Sequence, residues 1–187
     1  MLGIFIRVRW NIMKKYAIFL RGVTPAGKNR VPMVELRAAL SDAGLVDVQT
    51  YIQSGNVIAK SGLAQSFLES LVHEVIFRKI GADIAVIART HEQLKIVMEG
   101  NPFPLIAAPR TYFSLLSGPS AAHLTNELSR LDFSPDSVRV GQAALYTLYA
   151  TKHSDSKFNN NFFERKLKVS ATTRNFNTMS RLLELGA

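Results

Sequence analysis

The sequence predicts an α+β protein of two ferredoxin-like subdomains, each a βαββαβ plait, the second less regular and followed by a C-terminal helix. Three observations lead to this prediction. Strand-like and helix-like periodicities alternate in that order through residues 13–100. Residues 111–187 repeat the order without obvious repetition of residues. Hydrophobic residues make up 47% of the 187 residues, which is ample for a buried core.

The elements of the first subdomain follow from short-range signals. A short apolar run ends at Gly22, as a buried strand does. Pro32 suits the first turn of a helix, and Gly44 suits its stop. Thr90 with Gln93 three residues later predicts a capped helix. The predicted elements are strand 15–21, helix 32–44, strands 47–52 and 57–59, helix 64–80, strand 83–89 and helix 91–99.

The Pro-rich residues 101–110 are typical of a linker. After it, alternating apolar residues predict strands, and apolar residues three to four apart predict helices. Gly141 and Gln142 form the expected turn of a hairpin. The predicted elements are strand 111–116, helix 119–131, hairpin strands 137–141 and 143–149, helix 156–167, strand 168–173 and helix 175–185.

Residues 1–12 do not match any of these elements. Arg7 and Arg9 interrupt the apolar stretch that a signal peptide needs, and the segment is too short to span a membrane. Met13 followed by two lysines and a strand resembles a native start, so we expect 1–12 to be an N-terminal extension. Its alternating residues also allow an added edge strand.

Composition narrows the classes of function. The chain has no cysteine, which excludes disulfides, thiolate zinc sites and a cysteine nucleophile. The four histidines show no paired ligand spacing, so we expect no metal site. No convergent carboxylate pair is evident, and no cofactor is predicted. We expect a cytoplasmic protein.

The formal net charge is +9, and the excess lies at the C-terminus and around the first loop. Residues 151–187 carry seven Lys or Arg against three acids, whereas residues 101–150 balance at three against three. This distribution is consistent with an anionic small molecule or nucleic acid as partner. We expect no membrane partner. A solvated basic surface is the alternative.

The loop from Gly22 to Asn29 follows a strand and resembles a Walker A loop. It lacks the Ser or Thr that ligates magnesium, because Asn29 follows Lys28, and Pro25 removes one backbone N–H. We therefore expect either a looser anion pocket made by Arg21, Lys28, Arg30 and the loop amides, or a structural loop.

Ser54, Gly55 and Asn56 are typical of a hairpin turn and equally of a binding loop. For a tight turn, we expect this loop and the loop after the first strand to leave opposite ends of the sheet. They then share a site only if the second subdomain folds across.

Thr173, Arg174 and Asn175 precede the last helix, where hydroxyl, guanidinium and amide groups suit an anion. The alternative is a helix cap from Asn175 or Thr173, with Arg174 in solvent.

On several of these residues the chain resembles the bacterial family catalogued as domain of unknown function 1697. The resemblance implies paired ferredoxin-like subdomains and supports Met13 as the start, but it implies no activity, cofactor or catalytic residue. This chain departs from the family at 23–26, where Ile-Asn-Val-Gly is usual, and at Phe176, where Trp is usual. The matching stretches lie at 20–22, 27–29, 32–36, 50–57, 101–103, 172–175 and Thr178.

The leading hypothesis is a protein that binds an anionic ligand, a nucleotide or a nucleic-acid backbone, through basic loops. Replacing Arg21 and Arg174 by Ala is then expected to abolish binding with little loss of stability. The alternatives are a transferase or hydrolase acting on a phosphorylated small molecule, and a non-catalytic protein-interaction module. The candidate ligand-binding residues are Arg21, Gly22, Lys28, Asn29, Ser54, Asn56, Lys157, Thr173, Arg174 and Asn175.

Overall fold

The structure, a computed structural model, describes residues 12–24 and 26–187. The predicted N-terminal extension, residues 1–12, therefore lies outside the described residues except for Ile12. Within the described residues, no helix is long and apolar enough to cross a membrane.

The first half forms a four-stranded antiparallel sheet in the order β2-β3-β1-β4, the order of a ferredoxin-like plait. Strand β1 lies in the centre, between β3 and β4. Helix α3 begins with the predicted capping box of Thr90 and Gln93. The elements are β1 (Lys14–Leu20), α1 (Met33–Asp42), β2 (Val46–Tyr51), β3 (Asn56–Ser61), α2 (Gln65–Ile80), β4 (Val86–Thr90) and α3 (His91–Glu99).

The second half has the same architecture, with its sheet in the order β6-β7-β5-β8. Each element of this half takes the place of one in the first, so the predicted repetition of the plait is confirmed. The elements are β5 (Thr111–Leu116), α4 (Ala122–Ser129), β6 (Ser137–Val140), β7 (Leu145–Leu148), α5 (Asn160–Leu167), β8 (Ala171–Asn175) and α6 (Phe176–Leu185).

Several predicted boundaries were wrong, including the starts of β4 and α4, each of which lies three residues later than predicted. The linker contains a 3-10 helix at Leu105–Arg110. Helix α5 begins four residues later than predicted, because Asn159 caps it by accepting a hydrogen bond from the Phe162 amide. Lys168 then ends α5 in the left-handed conformation, at φ 58°, and β8 begins only at Ala171.

The layers of the fold follow from which face of each strand is apolar. On one face of the first sheet, Ile18 and Leu20 pack against Leu36 of α1 and Val72 of α2. The other face belongs to a core shared by both sheets and by α3 and α6, which joins the two halves. Its largest buried members are Phe19, Ile87, Phe113, Tyr146 and Leu182.

Candidate functional site

The first loop and the hairpin turn meet at one end of the first sheet, so the prediction that they leave opposite ends was wrong. Because β1 and β3 are antiparallel, the end of β1 lies beside the start of β3, with Phe19 opposite Asn56. The Leu20 amide donates to the Gly55 carbonyl at 2.8 Å. A Cβ at Gly55 would lie 2.7 Å from Leu20 Cβ, so only glycine fits this approach.

Arg174 of β8 reaches across from the second half into this junction. It is only 9% exposed, so the alternative that placed it in solvent was wrong. Its Nε donates to Asn56 Oδ1 at 2.5 Å, and its Nη2 donates to the carbonyls of Leu20, Ser54 and Gly55 at 3.0 to 3.2 Å.

The remaining donors of Arg174 are also engaged. Nη1 donates to Thr172 Oγ1 at 2.8 Å and to the Thr173 carbonyl at 2.9 Å. The guanidinium has five N–H groups, and these six contacts engage all three of its nitrogens. Burial lowers the pKa of Arg174 to about 10, so the group is still charged at neutral pH. Arg174 therefore holds the turn and β1 together from the other half, and its donors are taken up by protein.

Arg21, the next predicted cation, pairs with Glu164 of α5. Its Nε and Nη2 donate to the two carboxylate oxygens at 2.9 and 2.8 Å, and Nη2 also donates to Asn161 Oδ1. Burial raises the pKa of Glu164, but the hydrogen bonds from Arg21 and from the Ala171 amide outweigh this and lower it overall. This pair is a second polar contact between the halves.

The other predicted residues have separate local roles. Asn29 Nδ2 donates to the Gly22 carbonyl at 3.2 Å and so closes the first loop. Lys28 is exposed on that loop. Lys157 lies in the second half, with its ammonium 5.1 Å from the centre of the Phe158 ring.

Thr173 and Asn175, which flank Arg174, are occupied by neighbours as well. Thr173 Oγ1 donates to Asn160 Oδ1 at 2.5 Å and lies 2.7 Å from the Ser114 hydroxyl. Asn175 caps α6 by accepting from the Thr178 amide at 2.8 Å, as the predicted alternative required. The structure thus assembles Arg174 with Ser54 and Asn56, and leaves Arg21 and Lys157 outside that cluster.

Arg89 occupies in the first half the position that Arg174 occupies in the second. Arg89 lies opposite Ala17 of the central strand β1, and Arg174 lies opposite Phe113 of the central strand β5. Each arginine is the last residue but one of its strand, before the residue that caps the next helix. Arg89 donates to the Leu116 carbonyl at the end of β5, as Arg174 donates to Leu20 at the end of β1.

The two arginines differ in how many donors they use. Arg89 Nη1 donates to the Ala88 carbonyl at 2.7 Å and Nη2 to the Leu116 carbonyl at 2.5 Å. Its other three N–H groups have no acceptor among residues 12–24 and 26–187. The register of β5 and β7 puts Ala144 where Asn56 stands in the first half, so Arg89 has no amide oxygen to contact.

A cavity of 480 Å³ lies in front of Arg89, between the two halves. Burial lowers the pKa of Arg89, and the nearby Glu69 carboxylate opposes that shift. Arg89 is the one charged residue in the cavity wall within the described part of the chain. From the first half the wall takes Gln65, Arg89, Gln93, Ile96 and Val97, and from the second it takes Leu116 to Ser120, Thr125 and Val140 to Leu145.

The sequence analysis missed Arg89, although a signal for it exists. Residues Arg89-Thr90 and Arg174-Asn175 are each an arginine followed by a helix-capping residue, at matching places in the two predicted plaits. An alignment of the two halves by element order would have paired them.

The described residues contain no group of three or more side chains suited to hold a metal ion. The cavity wall also offers no such set, because within the described residues it includes no histidine or carboxylate.

Comparisons with known proteins agree with the predicted resemblance. A family model described as a protein of unknown function, DUF1697, matches residues 13–146, a range that contains Arg89 but not Arg174. The solved structure of the conserved bacterial protein SP0830 from Streptococcus pneumoniae is similar, with a TM-score of 0.68 and 22% identity. The match covers 94% of this chain and 99% of that one, and at this identity it supports the fold alone. No curated protein matches the chain.

Proposed function

We propose that this chain, which belongs to the DUF1697 family, binds an anionic small molecule in the cavity between its two halves. The observation that carries the proposal is the contrast between the two equivalent arginines. Arg174 engages all of its nitrogens with protein acceptors, whereas Arg89 lines a cavity and has three N–H groups without an acceptor among the described residues. Uncommitted guanidinium donors in a partly buried site favour a ligand with a negative charge.

The size and lining of the cavity fit a small ligand. Its 480 Å³ lies within the roughly 300–1,000 Å³ of typical ligand sites. Apolar side chains such as Ile96 and Leu116 line the cavity together with polar ones such as Gln142. The mixture of an apolar wall and a few polar groups is what small-molecule sites use to bind and to orient a ligand.

Binding is better supported than catalysis. The part of the wall that the structure describes holds no carboxylate, histidine or lysine that could act as an acid or a base. The hydroxyls of Ser117 and Ser120 are engaged with backbone groups of Ser170 and Leu167. The transferase or hydrolase alternative stays a prediction, as do the interaction module and the cytoplasmic location.

Thermal-shift measurements with anionic metabolites, at low and moderate salt, test the proposal. A ligand bound only to the native state raises the melting temperature by mass action, so one hit that survives moderate salt is expected. Arg89→Met should abolish that shift. Arg139→Met is the matched control, because Arg139 also donates to the preceding carbonyl, lies outside the cavity wall and carries the same charge.

A second variant tests ligand binding without removing the hydrogen bond from Arg89 to the Leu116 carbonyl. Gly118 lines the cavity and no atom lies within 4 Å of a Cβ added there, so the side chain of a Gly118→Phe variant begins without a clash. It should fill part of the cavity and weaken binding while leaving Arg89 and its contact unchanged. A shift that persists in both variants would place the ligand elsewhere. A shift only with RNA or DNA, lost at moderate salt, would favour backbone binding instead.

A further inference from the structure

We infer, resting on the proposed function, that the cavity takes a singly charged carboxylate with an uncharged body, rather than a phosphate ester or a nucleotide. The inference combines the charge of the wall, the backbone of the loop beside Arg89, and the side chains that would surround the rest of the ligand.

The charge balance favours one negative charge on the ligand. Arg89 is the one cation in the described wall, so it can balance at most one negative charge, and the nearby Glu69 carboxylate leaves no positive charge for a second. A phosphate monoester carries up to two negative charges at neutral pH, so one of them would lie partly buried without a partner. A carboxylate brings one charge and two oxygens, which match two N–H groups of a planar guanidinium.

The loop between β5 and α4 cannot supply the consecutive amides that cradle phosphate in other proteins. The Ser117 amide donates to the Ser170 carbonyl at 2.9 Å. Pro119 has no N–H, and it separates the amides of Gly118 and Ser120. This loop therefore offers few backbone donors to a group with three or more oxygens.

The other residues of the cavity wall indicate the chemistry of the uncharged part of the ligand. Ile96, Leu116 and Val140 offer an apolar surface. Gln142 is exposed and its amide has no partner in the described part of the chain, so it can both donate and accept. Among the described residues of the wall none is aromatic, so a nucleobase would have no ring on which to stack. Apolar groups together with an amide, as in an N-acylated amino acid or a peptide C-terminus, fit this wall.

Isothermal titration with matched probes tests the inference. We would use N-acetyl-L-leucine and N-acetyl-L-glutamine, their uncharged amides, isobutyl phosphate, uridine monophosphate and inorganic phosphate. The expected result is that at least one carboxylate binds, and that its amide and both kinds of phosphate bind at least tenfold more weakly. Arg89→Lys, which keeps the charge but loses the paired N–H donors of the planar guanidinium, should weaken carboxylate binding at least tenfold. Arg139→Met should leave its affinity unchanged.

The possible outcomes distinguish a failure of the carboxylate inference from a failure of the proposed function. If isobutyl phosphate or uridine monophosphate binds more tightly than the carboxylates, and Arg89→Met abolishes that binding, the carboxylate inference is overturned and the proposed function stands. If the carboxylates bind equally well to Arg89→Met, the ligand class is not set by Arg89 and the inference also falls. If no anion of either class binds, both are rejected.

Discussion

Arg174→Met should destabilise the protein strongly, although the sequence analysis expected little loss from removing this arginine. Methionine fills the volume of the arginine stem but offers no donor. The substitution leaves Asn56 Oδ1 and the Leu20 carbonyl without the guanidinium that now contacts them, and both residues are 0% exposed. The Gly55 carbonyl keeps its bond from the Leu20 amide and so contributes less.

The magnitude follows from these two acceptors. A buried polar group left without a partner costs about 1–3 kcal/mol, so the two together cost roughly 2–6 kcal/mol. Methionine also removes the cost of burying a charge, which offsets part of this loss. We expect a net decrease of about 2–4 kcal/mol in the free energy of unfolding. For a chain of this size that corresponds to a melting temperature lower by roughly 5–15 °C.

Urea unfolding followed by far-UV circular dichroism measures the change. The control is Arg181→Met, because Arg181 is 50% exposed and, among the described residues, pairs only with Glu184 on the same helix. That variant should lose at most about 1 kcal/mol. A loss at Arg174 no larger than at Arg181 would refute the conclusion that Arg174 holds the two halves together, and would return it to the candidate ligand-binding residues.

Three further predictions concern the same junction. Glu164→Gln should lower the free energy of unfolding by about 1 kcal/mol at pH 7, because it weakens the pair with Arg21. The pKa of Glu164 is lowered in the fold, so the stability difference from wild type should reach its full value above the unfolded pKa of about 4.3 and vanish as pH falls through the folded pKa. Urea unfolding as a function of pH measures this difference. Gly55→Ala should destabilise the protein by at least 1 kcal/mol more than Gly81→Ala, which is the usual cost of a packing clash. Both glycines have positive φ, but of these two only Gly55 lacks room for a Cβ. Equal losses would contradict the close approach of Gly55 to Leu20. Asn175→Ala should cost about 1 kcal/mol through loss of the α6 cap, whereas Asn175→Ser should retain most of the stability in the same assay.

Local sequence signals predicted the elements well where the structure is decided by near neighbours. The capping box of Thr90 and Gln93 and the cap at Asn175 depend on residues three positions apart, and both are confirmed. The start of α5 was predicted too early, because the residues before it are polar and aromatic in a pattern that also suits a helix. The cap at Asn159 decided that boundary.

The candidate site was harder to predict, because the role of each cation depends on contacts over long sequence separations. Arg21 is 143 residues from its partner Glu164, and Arg174 is 118 residues from Asn56. No local pattern distinguishes an arginine that will be buried against carbonyls from one that will face a cavity. Two of the predicted cations, Arg21 and Arg174, therefore form polar contacts between the halves.

The sequence by itself determined that this chain is an α+β protein of two plaits, because the periods of strands and helices are set by backbone geometry and by which face must be buried. Only the tertiary structure decided which arginine is available to a ligand. Arg89 and Arg174 lie at the same place in two similar halves, and the difference between them arises from what the opposite half presents: an asparagine and a tight turn to Arg174, and an alanine and a cavity to Arg89. Whether the N–H groups of a guanidinium find acceptors depends on neighbours that only packing brings within hydrogen-bond distance.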